Sequence, residues 1–184
     1  MTLWRYLLPI RPGESVLVHG LPPPSVAALR GAAVRVTEIL PGEAPPIGPV
    51  DHAIVVTGVP PVAVAEPMMR SVRPGGSVAL ALRRRHRLDR LRPASAQRLL
   101  ARAEVETVEV FGIGDPCGDP PLAVPLRPPA IPRWFAGHGY IPWSRAAALA
   151  AEAARFSPGG RSSALLFPGT VMIGRRHGND GGQR

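Results

Sequence analysis

Lysine is missing altogether from this chain: all 22 basic residues among its 184 are arginine. That bias, beside 24 prolines and 20 glycines, reads as codon preference for Arg, Ala, Gly and Pro, so the proline count is discounted as a structural signal. Cysteine is nearly absent too. The single Cys117 excludes an internal disulfide and a multi-cysteine zinc site, and it fits a reducing compartment. Its neighbours Pro116 and Gly118 offer nothing to activate a thiolate. The five histidines (His19, His52, His86, His138 and His177) show no i, i+4 or HxH spacing, so no metal site is expected. No GxSxG nucleophile elbow is present. Long apolar runs are also lacking: Leu3 to Ile10 is interrupted by Arg5 and has no cleavage signal, and nothing approaches the ~20 apolar residues that span a bilayer. These absences give the expectation of a soluble, cytoplasmic protein with no membrane span.

What is present is enough apolar material for a core, 45% hydrophobic against 19% charged. The length suits one α/β domain over 1–176 with a disordered tail at 177–184. A net charge of +9 raises nucleic acid or phosphorylated ligands as partners. The densest basic stretch, Arg83, Arg84, Arg85, Arg87, Arg90 and Arg92 around His86, would grip phosphates through guanidinium forks. It has no interleaved aromatics on which bases would stack, which argues against nucleic acid and for a solvated approach to a helix.

Apolar patterning alternates between two periods along the chain. Val16 to Val18 is a continuous apolar run suited to a buried parallel strand, and Ser25 to Gly31 reads as a short helix with Ser25 as its N-cap. Val34 to Ile39 alternates as a second strand ending at Glu38, and the four prolines in 40–50 make a loop. Asp51 to Gly58 is the next strand. A short helix within 61–72, broken or begun near Pro67, then a turn at Arg73 to Gly76, lead to a strand at Ser77 to Leu82. A helix at 94–103 and an alternating strand at 105–111, with Glu106 and Glu109 outward, complete the run. The segment 115–132 has no period and reads as a long connection, 144–156 as an Ala-rich helix, and 163–174 as one or two short strands around Pro168-Gly169. Strands alternating with helices imply a parallel α/β sheet.

The order of these pieces resembles the class I S-adenosylmethionine-dependent methyltransferase family from about Glu14 to Gly174. Met68 to Leu80 (MMRSVRPGGSVAL) is similar to that family's helix, L-x-P-G-G turn and strand. Asp51 to Gly58 resembles the preceding "fDvVv" strand, and Phe167 to Arg176 resembles the last strands. The resemblance implies a Rossmann-like, mostly parallel sheet with helices on both faces and an antiparallel C-terminal edge. It also implies S-adenosylmethionine as cofactor, and a methyltransferase activity whose acceptor is expected to be a small molecule.

The family's glycine-rich loop corresponds here to His19-Gly20-Leu21-Pro22-Pro23-Pro24, in which only Gly20 holds a glycine position and three prolines remove backbone N–H donors. Glu38, eighteen residues after Gly20, corresponds to the acid that accepts the ribose hydroxyls. Thr57 and Gly58 fall at the carboxyl end of their strand, where such sheets bind ligands, and join Gly20 and Glu38 as expected cofactor contacts. His19 is a candidate base or hydrogen-bond donor at the same edge, against the plain reading of a polar strand cap. His138, Tyr140 and Trp143, in a segment that also holds Trp134 and Phe135, would form a substrate lid or simply supply core. Between Glu38 and Asp51 only the proline loop stands where the family has a further strand and its helices, so a sizeable element is expected to be missing. Three readings follow: a methyltransferase-like protein, either working with an altered cofactor loop or impaired in cofactor binding, a non-catalytic scaffold or partner subunit of the same fold, and an arginine-rich phosphate or nucleic-acid module.

Overall fold

A computed structural model describes residues 4–45, 48–57, 62–83, 93–113, 123–126 and 169–177. A short helix α1 (Trp4–Leu7) precedes β1 (Ser15–His19), α2 (Pro23–Gly31), β2 (Arg35–Glu38), β3 (Val50–Thr57), α3 (Val62–Arg70), β4 (Val72–Arg83), α4 (Pro93–Arg102), β5 (Val105–Ile113), β6 (Ala123–Pro125) and β7 (Gly169–Arg176). The strands form one seven-stranded sheet in the order β2-β1-β3-β4-β7-β5-β6.

Neighbouring pairs β1–β2, β1–β3 and β3–β4 are parallel, and β7 runs antiparallel to both β4 and β5. β5 therefore points the same way as β1 to β4, and β6 pairs antiparallel with β5 as the far edge. The sheet is mostly parallel, as expected. Its C-terminal antiparallel strand is inserted between β4 and β5.

Alternation along the strands sends side chains to two cores. Leu17, Ala53, Val55, Val78 and Leu80 pack under α3 and α4 with Met68, Met69, Leu99 and Leu100. Val16, Val18, Ile54, Val56, Ala79 and Ala81 pack under α1 and α2 with Trp4, Leu8, Val26 and Leu29. A sheet covered on both faces explains why these strands read as continuous apolar runs.

Several expectations are corrected. α1 was not foreseen; Trp4 and Leu8 at its ends are completely buried, so packing holds a helix of only four residues. α3 runs through Pro67, because the buried Met68 and Met69 anchor its last turn on the sheet. The expected turn at Arg73 to Gly76 lies within β4, as an irregularity where the register with β3 shifts between Val50 and His52. Gly76 is required there, since a Cβ would meet the Asp51 carbonyl and the Val72 side chain. The long connection contains β6, three residues paired to β5. Ser25 is not the N-cap of α2: the helix starts at Pro23 with Pro22 in the cap position. Arg175 and Arg176 extend the last strand beyond 174. The helix expected at 144–156 and the segment 163–168 lie outside the described residues.

Candidate functional site

The parallel strands β1, β2 and β3 end together at the carboxyl edge of the sheet, where ligands bind in open α/β folds. Register fixes what meets there: Val18 pairs with Glu38, and His19 pairs with Val55. Gly20 follows at once, exposed and at φ +72°, a left-handed conformation suited to glycine. A Cβ on it would run into the Val56 carbonyl oxygen. The need for glycine is therefore met by β3 itself, whose backbone the turn crosses.

Glu38 is exposed at the end of the edge strand, and among the described residues its carboxylate has no partner. Val36, two residues earlier, packs on the α2 face of the sheet, so alternation assigns Glu38 to that face. His19, by the same rule, shares the opposite face with Leu17 and Val55. Its Nδ1 lies 2.8 Å from the Ile39 carbonyl oxygen. A carbonyl only accepts, so Nδ1 carries the proton and Nε2 presents its lone pair in the neutral ring. His19 thus ties the end of β1 to the residue after Glu38. Thr57 closes β3 at the same edge, while Gly58, His138, Tyr140, Trp143 and the arginines from Arg84 to Arg92 lie outside the described residues.

The decisive geometry is the first turn of α2. A helix leaves four N–H groups without intrahelical partners at its start, and these make its N-terminus an anion site. In α2 the cap and first two positions are Pro22, Pro23 and Pro24, which have no N–H. The fourth donor, Ser25 N–H, bonds back to the Pro22 carbonyl at 3.0 Å, and Val26 N–H reaches the same oxygen at 3.2 Å. Ser25 Oγ is buried, 1% exposed as a residue, and has no partner among the described residues. Sequence reading noticed the lost donors but, placing the helix start at Ser25, missed that all three prolines stand in the cap and first turn.

At the opposite edge the polar groups pair with one another, except that Nδ1 of the buried His52 has no partner among the described residues. Asp51 Oδ2 accepts from Ser15 N–H and Ser15 Oγ, both at 2.7 Å, and Arg73 Nε lies 2.7 Å from Oδ1. The Ser15 N–H is the main cause of an Asp51 pKa below the usual carboxylate value; burial opposes it, and the Ser15 hydroxyl and Arg73 assist. Glu14 Oε2 is 2.9 Å from Nε2 of the buried His52 and 2.7 Å from Arg11 N–H. Burial pushes the Glu14 pKa up, but the bonds from His52 and the Arg11 amide outweigh it and the net shift is downward. Asp51 is a structural clasp between β1, β3 and β4. Among the described residues no group of three or more His, Cys, Asp or Glu could hold a metal ion, and no helix is long and apolar enough to cross a membrane.

Comparison with known proteins adds the fold. No family model matches this sequence, and no curated protein does. Among solved structures, the chain is similar to one in the complex between the Haloferax volcanii Trm112 methyltransferase activator and a candidate methyltransferase. That match has a TM-score of 0.54 and 13% identity, over 96% of this chain and 89% of the other. It is also similar to a candidate methyltransferase from Bacillus halodurans, with a TM-score of 0.50 and 12% identity over 95% and 97% of the two chains. With the sheet order and its antiparallel β7, these matches show that the chain has the fold of the class I S-adenosylmethionine-dependent methyltransferases.

Proposed function

We propose that this protein is an S-adenosylmethionine-dependent methyltransferase-like protein with impaired cofactor binding, acting on a small-molecule acceptor. The observation that carries the reading is the carboxyl edge itself, where Gly20 follows β1 and Glu38, without a partner among the described residues, ends β2, while the first turn of α2 offers no free amide. Glu38 suits the ribose hydroxyls as a free acceptor, with Thr57 closing β3 at the same edge and Gly58 proposed as a further contact. For the cofactor's amino-acid end the residues do not fit, because an anion there finds no donor in α2. Among the described residues the strand and helices that would wall the adenine side beyond β2 have no counterpart, and the sheet order ends at β2. His138, Tyr140 and Trp143 remain the proposed acceptor contacts.

Calorimetric titration with S-adenosylhomocysteine tests this. The expected result is weak binding, with Kd near 1 mM, abolished by Glu38→Ala. Micromolar affinity would overturn the impairment, and no heat or thermal shift at millimolar ligand would overturn the cofactor reading altogether.

A second reading, a non-catalytic subunit that stabilises a partner protein, is favoured by the ending of the sheet at β2. It also fits a solved structure of similar fold, a complex with the Trm112 methyltransferase activator. Its test is co-purification of a stoichiometric partner together with absence of cofactor binding.

A further inference from the structure

We propose that this site binds adenosyl nucleosides without recognising an amino-acid carboxylate, so that a neutral 5′-thioadenosine is held as well as its charged homocysteine conjugate. The inference rests on the reading of Glu38 as the nucleoside contact and goes beyond it by assigning which half of the ligand is read. The helix that follows the first strand of an α/β nucleotide fold is its ordinary anion receptor, through unpaired first-turn amides and the partial positive charge they carry.

Here that receptor is switched off residue by residue. Pro22, Pro23 and Pro24 supply no N–H, and Ser25 N–H is spent on the Pro22 carbonyl. The only other donor of the turn, Ser25 Oγ, is out of reach of a ligand at 1% residue exposure. The nucleoside side keeps its exposed acceptor in Glu38. No basic residue in the described part of the loop replaces the missing donors, since His19 faces away with Nδ1 on Ile39 and Arg30 stands in the last turn of α2. A ligand's carboxylate therefore gains nothing from the start of α2 or from a basic side chain of the described loop.

The test compares S-adenosylhomocysteine with 5′-methylthioadenosine by calorimetry on the full chain, and repeats both titrations on a Pro23→Ala/Pro24→Ala variant. Both prolines are exposed, so alanine opens no cavity, and it restores two first-turn amides. We expect the two ligands to bind the native chain within about threefold of each other. The variant should gain about tenfold for S-adenosylhomocysteine, as one charge-assisted hydrogen bond supplies, and nothing for 5′-methylthioadenosine. A native preference of tenfold or more for S-adenosylhomocysteine would overturn the inference and leave the cofactor reading standing. Equal native binding with no gain in the variant would overturn the assignment to α2. Failure of both ligands on both proteins would sink the cofactor reading and this inference with it. The native comparison decides even where the variant does not fold.

Discussion

The two edges of the sheet treat polar groups in opposite ways. At the amino edge Ser15, Asp51, Arg73, Glu14 and Nε2 of His52 pair with one another across three strands and the turn before β1, and only Nδ1 of His52 lacks a partner among the described residues. At the carboxyl edge Glu38 has no partner among the described residues, and the close approach of β1's turn to β3 is made by backbone at Gly20. Polar groups that satisfy each other hold a fold together, whereas an unspent carboxylate on a strand end is free to receive a ligand. The contrast separates the paired edge from the edge proposed as the ligand site. It also isolates α2, which sits at the carboxyl edge yet has no N–H at its cap and first two positions.

The sharpest way to break the comparison is Gly20→Ala. If Gly20 served only a ligand, alanine would weaken binding and leave the fold alone. Because its Cβ would strike the Val56 carbonyl at φ +72°, the fold itself should suffer, by about 3 kcal/mol or more. In a thermal melt that is a fall in Tm of roughly 6–12 °C for a chain of this size. An unchanged Tm would mean that the turn is free to move away from β3.

Deleting one carboxylate from each edge comes next. Asp51→Ala orphans Ser15 N–H and Oγ in a part-buried setting and should cost about 2–3 kcal/mol by urea unfolding. Most of that is assigned to Ser15, since the half-exposed Arg73 pair adds little. Glu38→Ala should change stability by less than about 0.5 kcal/mol. Equal losses from the two substitutions would erase the distinction between the edges.

Much of this was legible in sequence, for identifiable reasons. The strands announced themselves because a sheet covered on both faces demands continuous apolar runs such as Val16 to Val18 and Ile54 to Val56. The loop was visible as four prolines in 40–50, and the described residues of that stretch before β3 hold no helix or strand. Glu38 followed from topology. What was not legible depended on contacts distant in sequence. Pro67 sits inside α3 because Met68 and Met69 are buried on strands far away in the chain. The Arg73 to Gly76 stretch has turn chemistry, yet β3 holds it in the sheet through a register shift. In β5, a shift between Thr107 and Glu109 breaks the alternation, leaving Val108 66% exposed and Glu109 half-buried where the pattern had Glu109 outward. Ser25 looked like a cap because Ser commonly caps, while Pro at the first helical positions is equally suited to a helix start and won here.

The smallest expected effect concerns acid, and it belongs to the amino edge. Asp51 and Glu14 both titrate below their ordinary values of 3.8 and 4.5 in the folded chain. A carboxylate with a depressed folded pKa stabilises the fold above its unfolded pKa and loses that contribution as pH falls through the folded value. Stability should therefore be level above pH 4.5 as far as these two groups are concerned, and should decline below it, first as Glu14 is protonated in the unfolded chain and then as Asp51 is. Urea midpoints measured at about pH 6 and about pH 3 should differ in the native protein. Asp51→Asn should lower the midpoint at the higher pH and narrow the gap between the two, because the amide can neither lose a proton nor accept from Ser15 with a full charge. A gap that Asp51→Asn leaves unchanged would move the acid sensitivity away from the Ser15–Asp51 clasp, and with it the claim that the amino edge is where this chain holds itself together.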